Sequence, residues 1–303
     1  MSGNKPNPSV SKYDYLFLPI ETKNREFYAK LLLSCFAAEG GFTVVLGEQQ
    51  ELRSAIFRFP RGIYIDKSVV KSKSNFFRLL KAMGHKITAW CEEGLIYPNP
   101  EIYLSQRIST KSFKLLDAFF AWGNIHAGHI QSKAKGINIP VLPTGNPRID
   151  LLRDPFRKLY FEQATKLKEI YGQFLLINTN FSFYNHVYSP EFRLQRWQKR
   201  GRIKRETEIK EYWGKVDFTR RVFESFIEMI NAIANQFKET KIIVRPHPSE
   251  NHEKWRELTK SLPNVSIIYE GSALTWIAAA EAIIHNGCTT GLEAFLMGKP
   301  VLA

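Results

Sequence analysis

The sequence predicts an α/β protein built from two Rossmann-like domains, each with its own parallel β-sheet. Short apolar runs of β type alternate with longer segments in which apolar residues recur at helical spacing, an order typical of doubly wound parallel sheets. The alternation is interrupted near 145–171 and then starts again. We therefore expect an N-terminal domain over 1–160 and a C-terminal domain over 161–303.

The first half of the chain contains six predicted strands and two predicted helices. Each predicted strand is a short apolar run bounded by polar or turn-forming residues. The strands are Tyr15–Ile20, Phe42–Leu46, Gly62–Ile65, Lys86–Trp90, Asp117–Trp122 and Ile139–Leu142. The helices, recognised by apolar residues at helical spacing, are Phe27–Ala38 and Ser74–Met83.

The second half repeats this order of elements. Its predicted strands are Phe174–Asn178, Lys241–Val244, Val265–Tyr269, Ala282–His285 and Pro300–Leu302. Its predicted helices are Phe218–Phe237, Glu253–Leu262, Ala273–Ala280 and Thr290–Met297. Because a strand is an unusual last element for a doubly wound domain, we expect a C-terminal helix or tail to be missing from this sequence.

The net charge of +14 is the feature of the composition that bears most on function. A basic balance suits nucleic acid, an anionic membrane surface or an anionic substrate. Much of the excess lies between Arg193 and Arg221, around a predicted basic insertion over 184–217 in which aromatic residues are interleaved. This stretch is either a solvated helix pair or loop, or a surface that contacts anionic lipid headgroups or a phosphate-bearing acceptor. No nucleic-acid-binding motif accompanies the charge, so nucleic acid is not an expected partner.

Cysteine usage and hydropathy predict a cytoplasmic protein. The three cysteines are widely spaced without a CxxC pair, which fits a reducing compartment and argues against a zinc knuckle or a disulfide framework. No apolar run approaches the roughly 18–20 residues that a membrane span needs. Peripheral contact with the anionic inner membrane through Arg193–Arg221 is compatible with both observations.

Two polar loops that follow predicted strands of the second domain are the main candidates for a binding site. Open α/β sheets bind ligands at the carboxyl ends of their strands. The loop after Lys241–Val244 reads Arg-Pro-His-Pro-Ser-Glu, and its prolines stiffen the chain around His247. Arg245 and His247 can donate hydrogen bonds to a phosphate oxygen, and Pro248 shapes the loop between them and the next helix. The alternative is a structural turn whose histidine caps a helix.

The second loop follows the next-to-last strand and runs directly into a predicted helix. It contains Asn286, Gly287, Thr289 and Thr290. Glycine permits close backbone approach, and hydroxyls, backbone N–H groups and a helix N-terminus together form an anion site. A phosphate is therefore the expected ligand. Glu293, in the first turn of that helix, either accepts a hydrogen bond from a ribose hydroxyl or only interacts favourably with the helix dipole.

Carboxylates of the first domain are the candidates for catalysis. Glu92 and Glu93, followed by glycine, end the predicted strand Lys86–Trp90. A carboxylate at a strand end can act as a general base or a nucleophile. Because neighbouring side chains of an extended chain point in opposite directions, only one of the two is expected to face the ligand. A solvated acidic turn is the alternative, and Asp150 is either a further carboxylate of the site or part of the next helix.

Two further loops could contact the sugar or the acceptor. Lys23 and Arg25 lie in a charged loop after the first strand, which binds an anionic sugar or is only the start of a helix. Asn178 and Asn180 follow the first strand of the second domain, where they contact a polar substrate or stabilise a turn.

Several motifs of known chemistry are missing from the sequence. No GxGxxG follows the first strand, and neither a GxxxxGK[ST] P-loop nor a GxSxG elbow occurs. No DxD-like acidic cluster marks a metal site. We therefore expect chemistry that needs neither a metal nor a bound cofactor.

The paired loops Arg-Pro-His-Pro and Asn-Gly-x-x-Thr-Gly-Leu-Glu-Ala resemble the nucleotide half of GT-B glycosyltransferases of bacterial surface polysaccharide synthesis. The sequence is most similar to the surface carbohydrate biosynthesis proteins, which are related to Kdo (3-deoxy-manno-octulosonate) transferases and bacterial sialyltransferases. Glu-Glu-Gly, Glu-x-Lys-Asn-Arg-Glu and Gly-Asn-Pro-Arg-x-Asp extend the resemblance over nearly the whole chain. It implies two Rossmann-like domains that face each other across a cleft.

The resemblance also implies an activity. The related transferases use CMP-activated 2-keto sugar acids, so the chain is expected to transfer Kdo or a related ulosonic acid from a CMP-sugar to an anionic glycan or a lipid-linked acceptor. His247, Thr289 and Thr290 would hold the CMP phosphate, and Glu93, or else Glu92, would be the catalytic carboxylate. Similar loops occur in UDP-sugar 2-epimerases and CDP-glycerol polymerases. A non-catalytic scaffold subunit of polysaccharide assembly is a further alternative.

Overall fold

The structure is a computed structural model that describes residues 13–97 and 99–303. The chain divides into two compact units, of which the first ends at Leu151 and the second begins at Leu152. Each unit contains one parallel sheet, so the predicted fold of two α/β domains with Rossmann-like parallel sheets is confirmed. The sequence placed the boundary between 160 and 161. The observed boundary precedes the helical segment 156–171, because this segment packs on a helix of the second unit.

The six strands predicted in the first unit are all present. They are β1 (Tyr15–Ile20), β2 (Thr43–Glu48), β3 (Gly62–Asp66), β4 (Lys86–Ala89), β5 (Ala118–Phe120) and β6 (Val141–Leu142). They form a parallel sheet in the order β2-β1-β3-β4-β5-β6. The order reverses at the β1/β3 pair, and open sheets bind ligands outside the carboxyl ends of the strands at such a reversal.

The helices of the first unit are more numerous than predicted. They are α1 (Lys23–Glu39), α2 (Gln49–Ala55), α3 (Ser74–Ala82), α4 (Pro100–Arg107), α5 (Thr110–Phe113), α6 (Asn124–Lys133) and α7 (Pro147–Asp150). Short 3-10 turns cover Ile56–Arg58 and Lys71–Lys73. Both α4 and α7 start at a proline after an asparagine whose side chain accepts a backbone N–H, which is a favourable helix start. The sequence offered a helix at Asp150 as one alternative and did not predict α4.

Helix α1 begins four residues before its predicted start, because Glu26 stabilises its first turn. The Glu26 carboxylate accepts the backbone N–H groups of Glu21 and Thr22 at 3.2 and 3.1 Å. It also accepts Lys30 Nζ at 2.7 Å, and both side chains are buried. Lys23 and Arg25 therefore lie on an ordered helical turn and not in a loop.

The five strands predicted in the second unit are also present. They are β7 (Phe174–Asn178), β8 (Lys241–Arg245), β9 (Val265–Ile267), β10 (Ala282–His285) and β11 (Val301–Leu302). The parallel sheet has the order β11-β10-β7-β8-β9. The first strand of the unit, β7, thus lies between β10 and β8, and the order reverses at the β7/β10 pair.

Six helices accompany this sheet. They are α8 (Phe161–Tyr171), α9 (Pro190–Lys199), α10 (Glu206–Gln236), α11 (His252–Thr259), α12 (Ala273–Ala279) and α13 (Thr289–Leu296), with a 3-10 turn at Phe156–Tyr160. The predicted insertion is therefore helical, formed by α9 and the first turns of α10. Among the helices that the structure describes, none is both long and apolar enough to cross a membrane.

Helix α10 starts twelve residues before its predicted start at Phe218. The Glu208 carboxylate accepts the backbone N–H groups of Lys204 and Arg205 at 2.8 and 3.0 Å. The Arg205 and Lys204 N–H groups, together with the Arg205 guanidinium, lower the pKa of Glu208 to about 2. This cap fixes where α10 begins, in a stretch whose charges conceal its helical pattern.

The cleanest test of the strand packing is an added methyl group at Gly62. A Cβ at Gly62, where β3 begins, would lie 2.4 Å from the carbonyl oxygen of Tyr15 and 2.7 Å from the Phe17 ring. We expect Gly62→Ala to lower the free energy of unfolding by about 1–3 kcal/mol, the usual cost of overpacking. Gly47→Ala in β2 is the matched control, because a Cβ there meets nothing within 4 Å. Urea unfolding of both variants measures the difference, and equal stabilities would contradict this packing.

Candidate functional site

Three loops of the second unit lie side by side at the carboxyl edge of its sheet. They follow β10, β7 and β8, which are adjacent strands in that order. In register, Asn178 pairs with His285 on one side and with Arg245 on the other. The two loops singled out in the sequence thus flank the loop after β7, at the reversal point where open sheets bind ligands.

Asn286 fastens the β10 loop to the β7 loop. Its Oδ1 accepts the backbone N–H of Asn180 at 2.8 Å, and its Nδ2 donates to the carbonyl of Asn180 at 3.2 Å. Both ends of the Asn286 amide are therefore used inside the protein. Asn178 is buried, and its Nδ2 has no hydrogen-bond partner in the described part of the chain.

Glu250 fastens the β7 loop to the β8 loop. This carboxylate is only 1% exposed. Its Oε1 accepts Thr179 Oγ1 at 2.9 Å and the backbone N–H of His247 at 3.0 Å, and its Oε2 accepts Trp255 Nε1 at 2.9 Å. The sequence analysis gave Glu250 no role. A carboxylate three residues after a strand-end histidine, with tryptophan five residues further on, is the signal that could have found it.

His247 is exposed, but its ring is held in place. Its Nδ1 lies 2.7 Å from Ser249 Oγ and accepts the Ser249 backbone N–H at 3.2 Å. Ser249 Oγ lies 2.7 Å from Ser182 Oγ, and Ser182 Oγ donates to Asn180 Oδ1 at 2.8 Å. A chain of polar contacts thus links His247 to the β7 loop. Ser182 and Ser249 are residues of the candidate site to which sequence reasoning gave no role.

Arg245 is directed into the protein. It is buried, and its guanidinium donates to the carbonyl oxygens of Glu270 and Gly271, each at 2.8 Å. It also lies 4.8 Å from the centre of the Tyr269 ring. Burial lowers the pKa of Arg245. The side chain therefore anchors the loop after β9, while Pro248 is exposed beside His247.

The β10 loop ends at the N-terminus of α13. Gly287 has a φ of +78°, a left-handed conformation that favours glycine. The N-cap residue, Cys288, makes no side-chain cap to the first turn of α13, and its Sγ lies 2.7 Å from Thr290 Oγ1. Thr289 and Thr290 are half-buried in that turn. Glu293 was expected in the first turn but lies just after it, because α13 begins at Thr289, and its side chain is buried. Helix N–H groups without a capping side chain can bind an anion.

His285 packs directly on this helix turn. Its Nδ1 accepts the backbone N–H of Gly287 at 3.0 Å. A Cβ at Gly291 would lie 2.1 Å from His285 Nε2, so only glycine leaves room for the ring. Burial lowers the pKa of His285. The histidine thus orients the start of α13.

In the first unit, Glu92 and Glu93 have opposite environments. The Glu92 side chain is 9% exposed, accepting Trp90 Nε1 at 2.7 Å and Arg148 Nη1 at 3.0 Å. The Glu93 side chain is 47% exposed, and its Oε1 lies 4.0 Å from Arg25 Nη1. The structure therefore brings together two predicted residues, Glu93 and Arg25. Asp150 ends the short helix α7 that also carries Arg148.

The turn after Glu93 is supported by a buried histidine. A Cβ at Gly94 would lie 2.6 Å from His126 Cε1. The ring of His126 accepts the Trp122 backbone N–H at Nδ1 (3.1 Å), and its Nε2 lies 2.9 Å from the Tyr103 hydroxyl. Burial, and then the nearby His129, lower the pKa of His126 to about 4.

Charged side chains also gather beneath the exposed Lys23 on the first turn of α1. Lys67, which follows β3, pairs with Glu21 and lies 3.2 Å from Glu26 Oε1. Burial raises the pKa of Glu26, but the ammonium groups of Lys30 and Lys67 outweigh it, and the net pKa is lowered. Among the described residues, no three His, Cys, Asp or Glu side chains are grouped so as to hold a metal ion.

His126 makes stability depend on pH in a defined window. Its pKa is about 4 in the folded chain against a reference value of 6.5, so between these values the unfolded chain binds more protons. Stability therefore falls as the pH falls from about 6.5 to about 4, with a contribution of roughly 3 kcal/mol from this group. We expect His126→Gln to flatten the pH dependence of the unfolding free energy, and His252→Gln, on a half-buried histidine of the second unit, to leave it unchanged. An unaltered slope in His126→Gln would contradict this assignment.

Comparisons with known proteins identify the fold. No protein-family model matches the sequence, and no functionally curated protein matches it. Solved structures are similar. The UDP-GlcNAc 2-epimerase from Neisseria meningitidis, solved bound to UDP-GlcNAc, is 13% identical with a TM-score of 0.54, and the match covers 95% of this chain and 81% of the epimerase.

Two further solved structures extend this similarity. The UDP-GlcNAc 2-epimerase from Methanocaldococcus jannaschii is 12% identical with a TM-score of 0.56, covering 95% of this chain and 82% of its own. The wall teichoic acid polymerase TagF, in a CDPG soak, is 8% identical with a TM-score of 0.53, covering 96% of this chain and 70% of its own. At such identities the similarity establishes the fold alone, and this fold is the predicted GT-B class with two Rossmann-like parallel-sheet domains.

Proposed function

We propose that this chain is an enzyme of surface-glycan synthesis that binds a nucleotide-activated donor in its second unit. The observation that carries the proposal is the convergence of the β7, β8 and β10 loops at the reversal point of the sheet. Asn286 and Glu250 fasten these loops to each other, and the β10 loop leads directly into the N-terminus of α13. Such a place offers oriented N–H and O–H donors to a phosphate group.

The phosphate of the departing nucleotide is the group that this site would stabilise. Thr289, Thr290 and the first-turn N–H groups of α13 supply donors, and the exposed ring of His247 supplies another. Donors that are fixed before the reaction stabilise developing charge without reorganising, which lowers the barrier to bond cleavage. Glu293 is proposed as the acceptor for a ribose hydroxyl.

Arg245 and Asn286 take positioning roles in this proposal. The Arg245 guanidinium is bound to the carbonyls at 270–271, and the Asn286 amide is bound to Asn180. We therefore assign to these side chains the alignment of the loops, and to their neighbours the contact with the phosphate. Asn178 and Asn180 stay candidates for contact with the donor sugar.

A nucleoside-diphosphate donor has more support than CMP-Kdo. Structures of similar fold include an epimerase bound to UDP-GlcNAc and TagF in a CDPG soak, whereas CMP-Kdo rests on sequence motifs. We propose a transferase because the cations of Arg193–Arg221 suit an anionic glycan or a lipid-linked acceptor. A UDP-sugar 2-epimerase is the second candidate, since several solved structures of this fold carry that description.

Glu93 is proposed as the catalytic carboxylate of the first unit, acting as a base or as a nucleophile. It is exposed at the end of β4, with the Arg25 guanidinium beside it. Glu92 is enclosed by Trp90 and Arg148, so its role is to position the turn. Asp150 stays the reserve carboxylate, and Lys23 a candidate contact for an anionic sugar.

Nucleotide binding is the first test of this function. We expect UDP or CDP to bind in isothermal titration more tightly than CMP. Thr289→Val should weaken binding about tenfold to a hundredfold, as expected for one lost hydrogen bond to a charged group. Thr207→Val, on an exposed threonine in the first turn of α10, is the matched control and should bind like the wild type. Tighter binding of CMP would restore the CMP-Kdo hypothesis, and no binding of any nucleotide would leave the scaffold alternative.

Turnover of a nucleotide-activated donor tests Glu93. We expect Glu93→Gln to retain nucleotide affinity and to lose about 10²–10⁴-fold in kcat, the usual contribution of a general acid or base. Glu92→Gln should instead lower the melting temperature, because it removes a charge from a largely buried ion pair with Arg148. Full activity of Glu93→Gln would exclude that carboxylate as base or nucleophile.

A further inference from the structure

The segment Pro190–Arg221, called here the basic hairpin, is a helical pair with a small core of its own. It consists of α9, the turn 200–205 and the first half of α10. The Tyr212 hydroxyl donates to the carbonyl of Pro190 at 2.8 Å, which ties α10 to the start of α9. Its buried apolar residues are Leu194, Ile203, Tyr212 and Val216. The hairpin thus has a defined inner side, and the packing of that side determines which side chains face solvent.

The outward side is strongly cationic. The basic hairpin contains eleven Lys and Arg against five Asp and Glu. Three acidic residues of α10 in the hairpin pair locally: Glu206 with Lys210 at 3.6 Å, Glu208 with Arg205 at 2.8 Å and Asp217 with Arg220 at 2.8 Å. Among the described residues of α9 and the turn 200–205, the exposed cations that form no ion pair are Arg196, Lys199, Arg200, Arg202 and Lys204.

Large apolar side chains are exposed among these cations. On α9, Phe192 is 49% exposed and lies on one stripe with Arg196 and Lys199, at helical spacing. On α10, Trp213 is 37% and Phe218 is 61% exposed. Phe218 lies about 120–160° around the helix from Tyr212 and Val216, on the side away from the buried residues, whereas Trp213 lies about 60–100° from them, at the edge of the buried side. Aromatic rings between cations are the composition of helices that lie in a lipid headgroup region.

We infer that the basic hairpin docks on an anionic membrane surface, with its cations on lipid phosphates and its exposed rings in the headgroup layer. A soluble polyanion would be bound by the cations alone. The exposed rings of Phe192 and Phe218 add binding free energy only where they can be buried against apolar surface, as in a lipid layer. Membrane docking is thus proposed in addition to the transferase activity. It rests on the proposed function in one respect only, because access to a lipid-linked acceptor is the reason a transferase would dock there.

The basic hairpin is joined directly to the candidate donor site. Arg193 Nη1 donates to the carbonyls of Ser182 and Phe183, and its guanidinium lies 5.5 Å from the rings of Phe183 and Trp197. Ser182 in turn contacts Asn180 and Ser249. Docking would therefore hold the β7 loop, and the site that it borders, close to the lipid surface.

Vesicle sedimentation without nucleotide tests the inference separately from catalysis. We expect binding to phosphatidylcholine vesicles that contain phosphatidylglycerol, little binding to phosphatidylcholine alone, and weaker binding at high salt. Replacing Arg196, Lys199 and Arg200 together by Gln should weaken binding roughly a hundredfold, at about fivefold per cation. The matched control replaces three exposed lysines of the same unit by Gln, namely Lys158, Lys238 and Lys260. Its vesicle affinity should fall less than about threefold, which is less than the effect of a single membrane-contacting cation.

The exposed rings separate a membrane from other anionic partners. Phe192→Ser with Phe218→Ser should weaken vesicle binding while leaving binding to dextran sulfate unchanged. No binding to phosphatidylglycerol vesicles, or equal losses in the hairpin and control variants, would overturn the inference. Tighter binding to dextran sulfate than to vesicles, with no effect of the phenylalanine changes, would assign the surface to a soluble anionic glycan instead. Nucleotide affinity of the same variants shows whether the donor site is intact.

Discussion

The buried carboxylate of Glu250 is the interaction on which the candidate site depends. It accepts hydrogen bonds from Thr179, the His247 backbone and Trp255, and so joins the loops after β7 and β8 to helix α11. A buried carboxylate is expensive unless its oxygens are satisfied, and a donor that loses such a partner costs about 1–3 kcal/mol. The backbone of His247 is therefore held by an enclosed carboxylate, while its ring is held by Ser249.

The other polar contacts of the second unit follow the same principle. Asn286 and Arg245 donate hydrogen bonds to backbone carbonyls, and these bonds align the loops at neighbouring strand ends. The groups left facing outward are hydroxyls, an imidazole and the N–H groups of α13. In the proposed function, these groups would bind an anion mainly through fixed dipoles. A similar division occurs in the first unit, where Glu92 is enclosed and Glu93 is exposed.

The strands were predictable because each is a short apolar run that needs no knowledge of its neighbours, and all eleven occur where expected. The order of the strands in each sheet was not predictable, because it depends on how the connections between strands cross the sheet. The helix starts at Lys23 and Glu206 were not predicted. Their charged first turns are stabilised by hydrogen bonds to the Glu26 and Glu208 carboxylates, which apolar periodicity does not reveal. The loops of the candidate site were predictable as strand-end motifs, but Arg245 and Asn286 were expected to contact ligand, and only side-chain geometry shows what they bind in the protein.

Nucleotide affinity of Glu250→Gln tests the central claim most directly. The amide would keep one acceptor oxygen and place an NH₂ group against a donor, either Trp255 Nε1 or the pair formed by Thr179 and the His247 backbone. Glu253→Gln, on an exposed carboxylate of α11, is the control. We predict that the wild type and Glu253→Gln bind nucleotide equally and that Glu250→Gln, still folded, binds at least about tenfold more weakly. Equal affinity of all three would contradict the claim that Glu250 builds the site.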